Sequence, residues 1–211
     1  VAALLIGSFL LIMFSGSRDS SEEDGEEIVV ADLSISEDDN VKGSSDAKFE
    51  LIEYSDFQCP ACKTRTPVVE QVINEFGNHV QFAYRHFPLR RIHPNAQAAA
   101  EATEAAALQG EFWPMHDIIF ENQATWSNMS TSEAKDAFAS YAEEIGLDME
   151  KFNQDVDGSL VEKQVNADYD SGVSAGVNST PTFFLNGEKV NINTANYGQF
   201  REFLREEIKS D

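Results

Sequence analysis

The chain contains two cysteines, Cys59 and Cys62, both within the stretch DFQCPACKTRTP that runs from Asp56 to Pro67. Two thiols separated by two residues at the mouth of a helix suit dithiol-disulfide exchange. Cys59 is expected at the helix N-terminus, where free backbone N–H groups and the helix dipole favour an anion, and Pro60 suits the first helical position because it has no N–H to satisfy. Thiolates in such settings have pKa values lowered from about 8.5 into a range of roughly 3.5 to 7.5. Cys59 is therefore read as the nucleophile. Cys62, almost one turn deeper, should be more buried and positioned to attack a mixed disulfide as the resolving thiol. A structural zinc site would need two further ligands at short spacing, and His79, His86, His93 and His116 form no His-x-x-x-His pair. A purely structural disulfide would close too small a loop to stabilise much. No metal or organic cofactor is expected.

The elements that must position this pair follow from periodicity. KFELIEYSD alternates and then runs apolar, as a buried strand does, and the helix opened by Pro60 presents Val68, Val69, Val72, Ile73 and Phe76 on one face. Gly77 fits its C-terminus, and Pro67 removes a hydrogen bond within it. HVQFAYRHF alternates as a second strand, which completes the start of a β-α-β unit. About eighty residues of helical character follow His93-Pro94, beginning with the alanine-rich NAQAAAEATEAAALQG. Strand character returns at TPTFFLNGEKV, where Asn186-Gly187 signals a two-residue hairpin turn. A last amphipathic helix, from Tyr197 to Lys209, would bury Phe200, Phe203, Leu204 and Ile208. The predicted order is β-α-β, a helical insert, then β-β-α.

At 211 residues and 42% hydrophobic, the chain can bury one domain of ordinary size with a tail. A formal charge of -22 excludes nucleic acid as a partner, because a phosphate polymer requires a basic face. The opening VAALLIGSFLLIMFSGS suggests an uncleaved membrane anchor or a signal segment. Val1 to Phe14 as written is shorter than the roughly 20 residues of a membrane span. From Arg18 to Lys48 there are 11 Asp/Glu against 3 Lys/Arg and few large apolar residues, the composition of a solvated tether. Such an acidic flank suits the non-cytoplasmic side of a membrane, where disulfides persist.

Three separated motifs, EYSDFQCPAC, FPL..HPNAQAAAEATEAAALQGEFWPMHDIIF and VNSTPTFFLNG, resemble the DsbA-like thiol:disulfide oxidoreductases of the thioredoxin superfamily, particularly the membrane-anchored bacterial forms. The resemblance covers roughly residues 46 to 209. It implies an α/β thioredoxin fold with an inserted helical domain, the order read above from periodicity. It also implies that Thr180-Pro181 is a cis-proline loop beside the cysteines that offers backbone atoms to an extended substrate. Glu53 corresponds by resemblance to a buried acid that relays the proton of the deeper thiol, and Pro67 to a structural kink proline. Pro60 and Ala61 depart from the Pro-His pair of the strong oxidants of this family, so a higher Cys59 pKa and a less oxidising couple are expected.

The sequence thus reads as residues 1–17 an anchor or signal segment, 18–46 an acidic disordered linker, 47–92 and 177–211 a thioredoxin-like domain, and 93–176 a helical insertion. The expected function is introduction of disulfides into exported proteins through the Cys59/Cys62 couple at the extracytoplasmic face of a bacterial cell envelope. Expected partners are thiol-containing exported proteins and a membrane redox partner, quinone-linked or a reductant donor, with the chain itself a monomer. Two alternatives stay open on sequence: a reductase or isomerase of the same fold, and a chaperone-like binding module that keeps the disulfide as structure.

Overall fold

The computed structural model describes residues 33–210. The anchor or signal segment and most of the acidic tether lie outside the described residues. The first element is a short strand, β1 (Asn40–Lys42), followed by β2 (Phe49–Ser55), α1 (Pro60–Phe76) and β3 (Val80–His86). Six helices intervene: α2 (Ala96–Ala107), α3 (Phe112–Glu121), α4 (Gln123–Trp126), α5 (Thr131–Glu144), α6 (Met149–Asp155) and α7 (Ser159–Ser174). The chain returns as β4 (Thr182–Leu185), β5 (Glu188–Lys189) and α8 (Tyr197–Ser210). The sheet order is β1-β3-β2-β4-β5, with β2 and β3 parallel and the other neighbours antiparallel. This is the α/β thioredoxin arrangement that the resemblance implied.

The central strands are apolar on both faces because helices cover both. Leu51, Val80, Phe82, Tyr84, Phe183 and Leu185 meet Val68, Val69, Val72 and Phe76 of α1 and Phe200 and Leu204 of α8. Ile52, Tyr54, Ala83 and Phe184 face the opposite way, into a smaller cluster with Phe87 and Val177. Helix α7 covers that second face closely: a Cβ on Gly172 would meet the Phe87 ring at 2.7 Å and the Tyr54 ring at 2.9 Å. The alanines of α2 act in the same sense, since Ala99, Ala102, Ala105 and Ala106 are fully buried against other helices. In the β4-β5 hairpin, Leu185 opposes Glu188, and Asn186 and Gly187 both have positive φ, 48° and 80°. That is the primed two-residue turn expected of Asn-Gly.

The expected tether, residues 18–46, requires a correction at its C-terminal end. Of its described part, Leu33 and Ile35 pack against the smaller cluster and Asn40–Lys42 pair with β3. The order comes from partners that local composition does not reveal. Asp39 takes a bidentate pair of bonds from Arg85, at 2.7 and 2.8 Å, and Asn40 donates to Glu104 at 2.8 Å. Trp113 Nε1 donates to the Val41 carbonyl, with the Lys42 ammonium 4.3 Å from the centre of its ring.

Candidate active site

The alternation of β2 places Leu51, Glu53 and Ser55 on the face that α1 covers, and Ile52 and Tyr54 on the other. Helix α1 starts at the end of that strand, so its first turn lies over Glu53. Cys59 is the N-cap residue in an extended conformation, with Pro60 at the first helical position. Both cysteines are free and buried, 7% exposed for Cys59 and 1% for Cys62. Gln123 fixes the loop before the helix from α4, its side-chain amide donating to the carbonyls of Phe57 at 2.6 Å and Cys59 at 3.0 Å.

The loop before β4 closes the other side of Cys59. The Thr180-Pro181 peptide is cis, and the Cys59 thiol donates to the Thr180 carbonyl across 3.5 Å. The Thr180 hydroxyl is buried and has no partner among the described residues. Pro60 is exposed and Ala61 half-buried on the same rim.

The electrostatics separate the two thiols. Cys59 is lowered to about 5, first by a hydrogen bond from the Cys62 thiol, then by the Thr180 side chain and the backbone N–H groups of Cys62 and Ala61, against the opposing effect of burial. Cys62 is pushed well above the ordinary thiol range by burial, by giving its hydrogen bond to Cys59, and by the neighbouring Glu53 and Cys59 charges. Glu53, 4% exposed, is raised to about 7 because burial outweighs the bond from Ser55 and the Arg65 charge. Among the described residues its carboxyl accepts one hydrogen bond, from Ser55 Oγ at 2.8 Å. A small cavity lined by Glu53, Thr66, Val69, Phe82 and His116 adjoins it, rimmed by Lys42 and Glu70. The arrangement holds an anion at Cys59, a protonated thiol at Cys62, and beneath them a carboxyl group that titrates near neutrality.

All the expected site residues, Cys59, Cys62, Glu53, Pro60, Ala61, Thr180 and Pro181, therefore converge on one end of α1. Sequence reasoning missed others. Ser55 was legible, two residues beyond Glu53 on the same strand face. Gln123 carried no local signal. Asp56 was also missed: buried, it accepts from the backbone N–H groups of Gln58 at 2.7 Å and Leu89 at 2.8 Å and pairs with His93 Nδ1 at 2.7 Å. His93 thus helps tie the β3-α2 loop to the cysteine loop.

Comparison with known proteins agrees with this fold. A family model described as thioredoxin matches residues 36–206. The chain is similar to the Na(+)/H(+) antiporter NhaA 1 of Mycolicibacterium vanbaalenii, 42% identical over 153 residues that cover 71% of this chain and 23% of that protein. It is likewise similar to NhaA 1 of Salinispora arenicola, 37% identical over 152 residues, 72% of this chain and 22% of that protein. The chain spans less than a quarter of the length of these curated relatives. Among solved structures, oxidised BdbD from Bacillus subtilis superposes with a TM-score of 0.71 at 22% identity, covering 82% of this chain and 94% of that one. Wolbachia pipientis alpha-DsbA1 gives 0.67 at 18% identity, with 82% and 90% covered. These likenesses show a shared fold.

Proposed function

The chain belongs to the thioredoxin family, and from that premise we propose that it is a thiol:disulfide oxidoreductase that oxidises protein thiols through the Cys59/Cys62 couple. The observation that carries the reading is the split between the two sulfurs: Cys59 lowered to about 5 at the helix terminus, Cys62 raised beside Glu53. A stabilised Cys59 thiolate stabilises the reduced enzyme, which makes the disulfide form an oxidant.

A substrate thiolate attacks the Cys59 sulfur of the oxidised enzyme, the Cys59–Cys62 bond breaks, and Cys62 leaves with the electron pair. Cys62 then takes a proton, for which Glu53 is the adjacent donor because its carboxyl is raised to about 7. A second substrate thiolate attacks its own partner sulfur in the mixed disulfide and expels Cys59 as a thiolate. The substrate leaves oxidised by two electrons and the enzyme holds them. The resolving role expected of Cys62 belongs to the reverse, reducing direction, in which Cys62 attacks the mixed disulfide.

A Cys59 pKa near 5 falls between the ~7 of thioredoxin and the ~3.5 of the strongest oxidants. This supports a couple less oxidising than a Pro-His enzyme's, consistent with Ala61 in place of histidine. We extend the proposal to location and partners. The apolar start of the chain and the acidic stretch after it support an extracytoplasmic address at a membrane, and the membrane antiporters among its relatives point the same way. Thiol-bearing exported proteins would be the substrates, with a membrane quinone-linked partner restoring the disulfide. Among the described residues no helix is long and apolar enough to cross a membrane.

The test is oxidation of a reduced, unfolded protein by stoichiometric oxidised enzyme, with insulin reduction measured in parallel. Thiol oxidation that outruns insulin reduction and vanishes in Cys59→Ser supports the proposal. Faster insulin reduction would reverse the flow, and equal behaviour of wild type and variant in both assays would leave a binding module instead.

A further inference from the structure

The cysteine end of the molecule differs in charge from the rest. Residues 57–69 contain Lys63 and Arg65 and no carboxylate, and residues 87–100 contain Arg90 and Arg91 and no carboxylate. All 37 Asp and Glu therefore lie outside the two segments that frame Cys59, in a chain of net charge -22. The two segments are not equivalent. Lys63 donates to the Glu121 carbonyl and shares a groove with Asp117 and Glu121, so its charge is offset from α3. On the β3-α2 side, Arg90, Arg91 and Ile92 are all exposed. Ile92, at 69% exposure, is the most exposed large apolar side chain among the described residues.

This loop is held against the cysteine loop. Asp56 accepts from Gln58 N on one side and from Leu89 N and His93 on the other. The Gln58 side chain, next to Cys59, accepts from the Asn95 backbone N–H at 2.8 Å. Arg90 is pre-positioned by bonds to Gln97 at 2.9 Å and Asn166 at 2.6 Å and lies 4.4 Å from the Tyr169 ring centre. The nearest carboxylate on α2 in this network is Glu101, itself bonded to Gln97. Arg91 has no hydrogen bond or ion pair among the described residues.

We propose that the Arg90-Arg91-Ile92 loop is a docking surface for an acidic segment of the substrate protein that carries an apolar side chain next to its reactive cysteine. This rests on the thiol-exchange reading and names the substrate class for it. Charge complementarity selects the occupant. A polyanionic enzyme repels acidic substrates over most of its surface, so two exposed arginines on the loop tied to the cysteine loop steer such a segment toward the sulfur and accelerate its encounter. The exposed isoleucine supplies apolar contact that long-range steering lacks.

The experiment uses the full chain in its oxidised form and three peptides, each with one cysteine next to leucine and flanked by glutamates, lysines or glutamines. Mixed-disulfide formation is followed by stopped flow. At about 0.01 M salt, where the screening length is ~30 Å, the acidic peptide should react at least about tenfold faster than the basic one. The ratio should shrink toward one at about 1 M salt, where that length is ~3 Å. Arg90→Glu with Arg91→Glu should invert the ratio. Arg91→Glu alone, which removes no bond, should cut it by at least about threefold.

An equal rate for acidic and basic peptides overturns the proposal, as does a ratio unmoved by charge reversal. Loss of binding to vesicles of equal phosphatidylglycerol and phosphatidylcholine, with the peptide ratio intact, would make the loop a lipid contact and also overturn it. Neutral dithiothreitol separates the two levels. If wild type fails to oxidise it, the exchange chemistry itself fails. If it is oxidised while the peptides are not discriminated, only the docking surface falls.

Discussion

Two buried polar pairs, one on each face of the sheet, show how this fold treats charge for different ends. On the α7 face, Arg85 is almost wholly buried and nearly saturated: Asp39 accepts from it twice, the Ser34 carbonyl accepts at 2.6 Å, and the Tyr54 and Ser171 hydroxyls lie within 3.2 and 3.4 Å. On the α1 face, Glu53 is buried as deeply and its carboxyl accepts a single bond among the described residues, from Ser55. Four buried side-chain atoms without a partner are found among the described residues: Arg65 Nε, Tyr84 OH, His86 Nδ1 and Thr180 Oγ1. All four belong to the cysteine side of the sheet. A satisfied charge holds a segment in place, whereas an under-satisfied one keeps its protonation state close to balance and so available for chemistry.

The largest expected effect breaks the satisfied pair. Asp39→Ala leaves the Arg85 guanidinium buried without its main counter-charge, and a loss of about 3–5 kcal/mol in urea unfolding should follow. The thiolate absorbance of Cys59 should still titrate near 5. If that midpoint moved by more than about one unit, the two faces would not be independent in the way this contrast requires.

On the other face the same logic gives the opposite sign. Glu53 has a folded pKa of about 7 against an ordinary 4.5, so between those values the folded protein holds a proton that the unfolded chain has released. Its contribution is a loss of stability as pH rises from about 4.5 to 7, on the order of 3 kcal/mol in full. Glu53→Gln removes that loss and should raise the unfolding free energy by up to that amount at pH 8 and by little at pH 4. The same variant should react more slowly with substrate thiols, because Cys62 loses its adjacent proton donor, and its rate should no longer bend near pH 7. A variant less stable than wild type at pH 8 would mean that Glu53 is a structural group like Asp39.

The contrast also sorts what could be read from the chain. The buried position of Glu53 followed from family resemblance, since a strand glutamate on its own indicates an exposed side chain. Local periodicity made legible the face of α1, the Asn186-Gly187 turn and the alternation of β2. Ser55 was within reach of the same argument. Order that depends on remote partners was not. The acidic composition around Asp39 suggests solvated chain until Arg85, on β3, comes to sit beside it, and nothing near Gln123 indicates that its amide will cap the loop at Phe57 and Cys59. The cis peptide at Thr180-Pro181 followed from family resemblance alone, since a Thr-Pro pair on its own indicates only a turn.

The smallest effect is the most discriminating, because it touches one unsatisfied atom and no charge. The Thr180 hydroxyl is buried, has no partner while Cys59 is a thiol, and favours the thiolate when the proton leaves. Thr180→Val keeps the shape of the side chain and removes that donor. One neutral hydrogen bond to an anion contributes about 1.5–3 kcal/mol at most, so the Cys59 midpoint should rise by roughly one unit. The reduced enzyme loses the same stabilisation, and its potential should fall by about 30 mV, toward a weaker oxidant. Stability in the disulfide form should stay level or increase slightly, because an unpaired buried hydroxyl has been replaced by a methyl group. A thiolate midpoint unchanged from wild type would show that the hydroxyl is as idle in the reduced state as its missing partner makes it look, and the link between unmet hydrogen bonds and reactivity would then have to rest on Glu53 alone.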